Sequence, residues 1–86
     1  DLIVTGEEGI ECIEGVDYEF SYMTGIYTIK TSTPVVVRNV DSTVATDNRI
    51  FIEKNIDSTI TLEGVNISSD TGAAMTIADE VYRILK

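Results

Sequence analysis

The sequence predicts an all-β domain, folded as a short parallel β-solenoid of about three coils of 23 to 25 residues. Nine Val, twelve Ile and eleven Thr fill 32 of the 86 positions, and these residue types favour strands. Short alternating segments recur between clusters of turn-forming residues. The chain also aligns with itself at a fixed offset, as stacked coils require. The alternative is an antiparallel β-sandwich, which also has short strands at regular spacing.

The predicted strands are short segments in which apolar and other residues alternate, so that one face is apolar. They cover residues 27–29, 50–52, 60–62 and 75–77. An apolar run at 35–37 follows Pro34, which a strand tolerates at its first position. The final segment, 78–86, has two interpretations. It is either a short amphipathic helix that covers the last coil or a strand of a further coil.

The self-alignment gives the predicted stacking of these strands. At an offset of 25 the matched pairs are 35–41 with 60–66, 50–52 with 75–77, Ile56 with Val81, and Ile60 with Leu85. A third copy is expected upstream, where 13–17 matches 37–41 at an offset of 24, and 27–29 matches 50–52 at 23. Stacked copies place equivalent residues in interior columns.

Three such columns are predicted. They contain Cys12 or Ile13 with Val37 and Leu62; Val16 with Val40 and Val65; and Tyr27 with Ile50 and Met75. Ile52, Ile60 and Ile77 complete the predicted core. Because a solenoid of three coils would have two open ends, each with unpaired strand groups, we expect association through these ends unless caps cover them. We treat 1–86 as a single solenoid domain or as a fragment of a longer repeat array.

Composition excludes several classes of function. The formal net charge of −9 repels nucleic-acid phosphates and anionic lipids, so neither is an expected partner. No apolar run reaches the length of a membrane helix, so we expect no membrane insertion. The chain has no His, no Gly-rich phosphate loop and a single Cys12 with apolar neighbours. We therefore expect neither an enzyme nor a cofactor.

Aromatic residues concentrate in the first predicted coil and suggest a ligand site. Tyr18, Tyr22 and Tyr27 offer faces on which sugar rings stack, and Glu19 offers a planar hydrogen-bonding group beside them. A polysaccharide is the expected partner of such a site. The alternative is that the alternating aromatics of 18–22 only cover the end of the stack.

A ladder of polar residues suggests a metal site. Asp17, Asp41 and Asn66 each follow a Val of the second column, so stacking would bring them to a spacing of about 4.8 Å. A hard cation such as Ca²⁺ would relieve the repulsion between stacked carboxylates. The alternative is that each residue forms an Asx turn with its own backbone.

Six segments together resemble a known family. They are GVDY at 15–18, GIYTI at 25–29, TPV at 33–35, TDNRI at 46–50, ITLEGVNI at 60–67 and GAA at 72–74. Over residues 12–80 the chain resembles the opening coils of large repetitive surface proteins of anaerobic Gram-positive bacteria, which carry carbohydrate-binding domains and parallel β-helix repeats. Residues 79–86 depart from that pattern because they are more charged and bulkier.

The resemblance implies an extracellular or cell-surface location. It also implies a non-catalytic module of a cell-surface or secreted protein that binds glycans or mediates adhesion. The alternative function is a purely structural β-helical stalk or oligomerisation segment without a ligand.

Overall fold

The computed structural model describes residues 2–54, 56, 59–70, 72–77 and 84–85. Within them the chain is all-β and contains no helix, which confirms the predicted class. The strands are, in chain order, β1 (Leu2–Gly6), β2 (Tyr18–Ser21), β3 (Ile26–Ile29), β4 (Val35–Asn39), β5 (Arg49–Ile52), β6 (Thr59–Glu63), β7 (Met75–Ile77) and β8 (Ile84–Leu85). They form two mixed sheets. The first sheet has the order β1-β4-β6-β8 and the second has the order β2-β3-β5-β7.

The parallel strand pairs have the registers that the self-alignment predicts. Val35 lies opposite Ile60 in β4 and β6, and Ile60 lies opposite Leu85 in β6 and β8. In the second sheet, Ile50 of β5 lies between Tyr27 of β3 and Met75 of β7. The predicted offsets of 25, and of 23 between β3 and β5, are therefore confirmed.

The first strand pair of each sheet is antiparallel, whereas parallel stacking was predicted throughout, so the prediction is wrong for these two pairs. β1 runs antiparallel to β4 and places Val4, instead of Cys12 or Ile13, opposite Val37. β2 runs antiparallel to β3. The expected copy at 13–17 is a turn in which Gly15 has a φ of +89°, a conformation that favours glycine. Because the chain reverses direction there, this segment does not stack on β4.

The core lies between the two sheets. Its buried hydrophobic residues are Leu2, Val4, Tyr27, Ile29, Val35, Val37, Ile50, Ile52 and Ile60. The predicted core residues Leu62, Val65 and Met75 are only partly buried and pack against this cluster. The first sheet thus receives two buried residues, Leu2 and Val4, from a strand that was not predicted.

Three residues that were predicted to be buried are exposed. Val40 is 65% exposed because it follows the last residue of β4. That last residue, Asn39, has the buried side chain instead. Val16 is 66% exposed because it lies in the turn before β2. Ile77 is 37% exposed at the end of β7, the last described strand of the second sheet. The predicted column of Val16, Val40 and Val65 is therefore wrong.

A buried amide ties the turns after β4 and β6 together. The Asn39 Nδ2 donates hydrogen bonds to the backbone oxygens of Val44 and Asn66, each at 3.1 Å, and its Oδ1 accepts one from the Asn66 N–H at 2.8 Å. Beyond this point Thr46 and Ile67 form an isolated parallel bridge. The two turns consequently lie side by side and continue the parallel arrangement of the strands they follow.

The final segment has a strand at Ile84–Leu85, which pairs with β6 in the parallel direction. The other residues of the predicted helix or strand, 78–83 and 86, lie outside the described residues, as does the match of Ile56 with Val81. Across the described ranges, no helix has the length and apolar character needed to cross a membrane.

Candidate functional site

A cleft of about 380 Å³ opens at one end of the second sheet. Because β3, β5 and β7 are parallel neighbours, the segments that enter them meet at the same edge of the sheet. The β2–β3 turn, the residues before β5 and the loop before β7 supply its walls. The lining residues are Phe20, Tyr22, Met23, Thr24, Gly25, Asp47, Asn48, Ser68, Ser69 and Asp70.

An exposed aromatic ring stands at the rim of the cleft. Tyr22 follows directly after β2 and is 89% exposed. Phe20 contacts it edge-on, with ring centroids 4.8 Å apart and an angle of 77° between the planes. Phe20 in turn packs against the buried Tyr27, with centroids 4.4 Å apart. The Tyr22 ring is thus supported from the core and yet offers its surface to solvent.

The floor of the cleft depends on a glycine. Gly25 has a φ of +71°, which L residues with a side chain rarely adopt. Its N–H donates to the Ser21 oxygen at 2.7 Å, and its own oxygen accepts from the Arg49 N–H at 3.0 Å. A Cβ at this position would lie 3.3 Å from the Asn48 Nδ2. The β2–β3 turn can therefore lie directly against the Asn48 side chain.

Asn48 brings a buried polar side chain to the cleft. Its exposed fraction is only 6%, and its backbone N–H donates to the Thr46 Oγ1 at 3.2 Å. Its Oδ1 has no hydrogen-bond partner among the residues that the structure describes. A buried acceptor without a partner is unusual in folded proteins, since it costs about 1 to 3 kcal/mol.

Two carboxylates line the same cleft from different loops. Asp47 precedes β5, and Asp70 lies in the loop before β7; both residues are exposed. Within the described part of the chain the ion pairs are Lys30 with Glu19 and Arg38 with Glu63. Neither carboxylate of the cleft has a cationic partner there. The cleft is therefore an acidic site with one aromatic wall.

The structure separates the four residues that were predicted to bind a ligand. Tyr22 lines the cleft, whereas Tyr18 is half-buried and packs against the core. Glu19 accepts a hydrogen bond from Lys30 at 2.8 Å on an exposed surface. Tyr27 is buried, in keeping with its predicted interior column with Ile50 and Met75, so its ring does not offer the face that was predicted to stack on a sugar.

The environment of the two inner tyrosines explains their role. Burial, and after it the negative charge of Glu14, raises the pKa of the Tyr18 hydroxyl. Burial also raises the pKa of Tyr27, with a smaller contribution from Tyr18. Both hydroxyls therefore stay protonated. Tyr18 and Phe20 lie on β2, the edge strand of the second sheet, and pack against the core.

The three predicted metal ligands do not form a ladder. The backbone oxygen of Asp17 accepts a hydrogen bond from the backbone N–H of Lys30, which places Asp17 beside the end of β3 in the second sheet. Asp41 follows β4 in the first sheet. The Asp17 Oδ2 accepts from the Ile13 N–H at 2.8 Å and so closes its own turn. The antiparallel direction of β2 accounts for this difference from the prediction.

Asp41 and Asn66 also belong to turns. The Asp41 Oδ1 accepts from the Thr43 Oγ1 at 2.7 Å and from the Thr43 N–H at 3.0 Å, which lowers the pKa of Asp41. The Asn66 Nδ2 donates to the Ser42 oxygen at 3.2 Å. No group of three or more Asp, Glu, Cys or His among the described residues could hold a metal ion. Of the three residues, Asp41 alone forms the Asx turn of the alternative interpretation, since Asp17 accepts from a residue four positions earlier and the Asn66 side chain bonds to a different turn.

The free thiol of Cys12 is half-buried. Burial, followed by the charge of Asp17, raises the pKa of this thiol. Since the thiolate is the nucleophilic form, these surroundings make Cys12 less reactive than an ordinary cysteine.

Sequence reasoning missed Asp47, Asn48 and Asp70 as site residues. Both turn clusters were visible, at 46–48 and 68–72, and both precede segments that the self-alignment stacks. That position was the available signal, because segments entering neighbouring parallel strands meet at one edge.

No family model matches the chain, and no curated protein or solved structure is significantly similar to it.

Proposed function

We propose that this chain is a non-catalytic glycan-binding module of a bacterial cell-surface or secreted protein, and that its fold is a short parallel β-solenoid. From β3 to β8, successive strands alternate between the second and the first sheet. Each parallel pair has the register of one added coil, and the Thr46–Ile67 bridge links the turns between them. This alternation favours a coil over a sandwich of antiparallel sheets.

The observation that carries the glycan-binding proposal is the exposed Tyr22 ring beside a polar cleft. A sugar ring has apolar faces that stack on an aromatic ring, and its hydroxyl groups hydrogen-bond to planar carboxylates and amides. Asp47, Asp70 and Asn48 supply such groups within the cleft. The volume of about 380 Å³ lies in the usual range of small-ligand sites.

The absence of catalysis is part of the proposal. The sequence contains no His, and the surroundings of Cys12 disfavour its thiolate. The hydroxyls of Tyr18 and Tyr27 are also held in the protonated form. These features argue against a nucleophile or a base poised near neutral pH.

A glycan microarray tests the proposed function. The wild-type chain should be retained by a subset of immobilised polysaccharides, and Tyr22→Ala should abolish retention. Tyr22→Phe should preserve it because the ring remains, and Val16→Ala is the matched control at an exposed position outside the cleft. Retention that survives Tyr22→Ala would contradict the site. Release of reducing ends from a bound polysaccharide would contradict the claim that the module is non-catalytic.

The second candidate function is a structural or oligomerisation segment, for which the sheet edges provide an argument. β1 and β2 close one end with antiparallel strands, whereas β7 has no described strand on its outer side. Ile77 is exposed at this edge, which could pair with a second copy. Sedimentation velocity over a range of protein concentrations separates the candidates. Self-association together with no retention by any glycan would favour the structural segment.

A further inference from the structure

We infer that the cleft selects glycans that carry a free amine, so that the ligand class is a polymer of unacetylated amino sugars. This inference rests on the proposed function and specifies its ligand. It depends on three features of the lining: two carboxylates without a cationic partner, an exposed aromatic ring and a buried amide oxygen without a donor.

The charge of the cleft is the first argument. Asp47 and Asp70 enter from two different loops, and no Lys or Arg is among the lining residues. Arg49 is the nearest cation in sequence to Asp47, but its guanidinium packs against Gly72. It forms no ion pair with any described carboxylate. A cationic ligand group would offset the negative charge that Asp47 and Asp70 bring to the cleft, whereas the hydroxyl groups of a neutral sugar would donate hydrogen bonds without neutralising that charge.

The aromatic wall is the second argument. An ammonium group is attracted to the face of a tyrosine or phenylalanine ring by the ring's quadrupole. The apolar face of the same sugar, formed by its C–H groups, can stack on the Tyr22 ring, which Phe20 holds in place. One amino-sugar residue therefore offers both kinds of contact to this wall.

The buried acceptor is the third argument. A primary ammonium group has three N–H donors and no acceptor. The two exposed carboxylates are acceptors, which an ammonium group matches, and the buried Asn48 Oδ1 adds a further acceptor in the same wall. An N-acetyl group has a single N–H and no positive charge, so it can donate to only one of these acceptors and neutralises neither carboxylate. The lining of the cleft therefore favours the free amine over its acetylated form.

The experiment compares two oligosaccharides of equal length by isothermal titration calorimetry. One is an oligomer of glucosamine and the other is its fully N-acetylated counterpart. We expect the glucosamine oligomer to bind at least about tenfold more tightly, because hydrogen bonds from its charged group to the carboxylates are stronger than those of a neutral amide. High salt should weaken its binding and should leave the acetylated oligomer unaffected.

Charge-neutral variants locate the effect. Asp47→Asn and Asp70→Asn should each lower the affinity for the glucosamine oligomer about tenfold. Neither substitution should change the affinity for the acetylated oligomer by much. Glu8→Gln is the matched control, because it removes the same charge from an exposed residue outside the cleft. If Glu8→Gln weakens binding as much as Asp47→Asn does, the attraction comes from the net charge, and the inference is wrong.

The outcomes distinguish this inference from the proposed function. Equal affinity for both oligomers, with both lost in Tyr22→Ala, would overturn the amine preference and keep the glycan site. No binding of any oligosaccharide would overturn both. Binding of Ca²⁺ at the two carboxylates that excludes the glucosamine oligomer would also overturn the inference, because the cleft would then be a cation site without a sugar.

Discussion

The Tyr27 hydroxyl donates a hydrogen bond to the backbone oxygen of Leu2 at 2.9 Å, and this contact joins the second sheet to the first. Both residues are buried, and Leu2 lies on the antiparallel strand that closes the first sheet. Tyr27 is therefore a core residue whose polar end holds the edge strand in place. Its neighbour in the aromatic cluster, Tyr22, is left to face solvent.

Removing this hydroxyl should destabilise the fold. Tyr27→Phe leaves the Leu2 oxygen without its donor, so we expect a loss of about 1 to 3 kcal/mol in the free energy of unfolding. Urea denaturation measures the loss. Tyr22→Phe is the control, because its exposed hydroxyl is solvated in both states, and its effect should stay within about 0.5 kcal/mol. Equal effects of the two substitutions would contradict the structural role of Tyr27.

The largest loss should come from the stacked residues of the core. Ile60 is fully buried between the two sheets and lies opposite Val35 and Leu85 in its own sheet. Ile60→Ala should cost about 2 to 5 kcal/mol, as truncations in packed cores do. Val40→Ala, at the exposed position after β4, should change stability by less than about 0.5 kcal/mol. A comparable loss in both variants would show that the assigned core is wrong.

The turn at Asp41 should respond to acid. Its folded pKa lies below the ordinary value of about 3.9, so the turn gains stability from the ionised carboxylate above that pH. The gain is lost as the pH falls through the lowered folded pKa. An NMR titration of the Asp41 carboxyl carbon should therefore show a midpoint below about 3.9.

A substitution at Thr43 tests the cause of this shift. Thr43→Val removes the hydroxyl that donates at 2.7 Å and keeps the backbone donor. The Asp41 midpoint should rise toward the ordinary value without reaching it. An unchanged midpoint would mean that the hydroxyl contact does not determine the pKa.

The sequence predicts the parallel registers because equivalent residues in stacked strands have similar chemistry. Ile50 and Met75, or Val37 and Leu62, match in kind, and the ungapped offset fixes which residues lie opposite each other. Strand direction leaves no such mark. The alternating pattern of β1 or β2 would serve a parallel or an antiparallel strand equally well, and both strands are antiparallel.

The site was predictable only in part for a related reason. Tyr18, Tyr22 and Tyr27 are close in sequence and alike in type, but the turn at Gly25 sends Tyr27 into the core and leaves Tyr22 exposed. Asp47 and Asp70 are far apart in sequence. The parallel order of β3, β5 and β7 brings their loops to one edge, and only the folded topology defines that edge.

The central claim is that a glycan occupies the cleft beside Tyr22, and amide shift mapping by NMR tests it most directly. The isotopically labelled chain is titrated with the oligosaccharide that it retains best. Perturbed amide signals should cluster at 22–25, 47–48 and 68–70. The amide signals of β1, which belongs to the first sheet, should stay unchanged. Tyr22→Ala should remove the perturbations. Shifts that map to another surface, or that persist in Tyr22→Ala, would contradict the account.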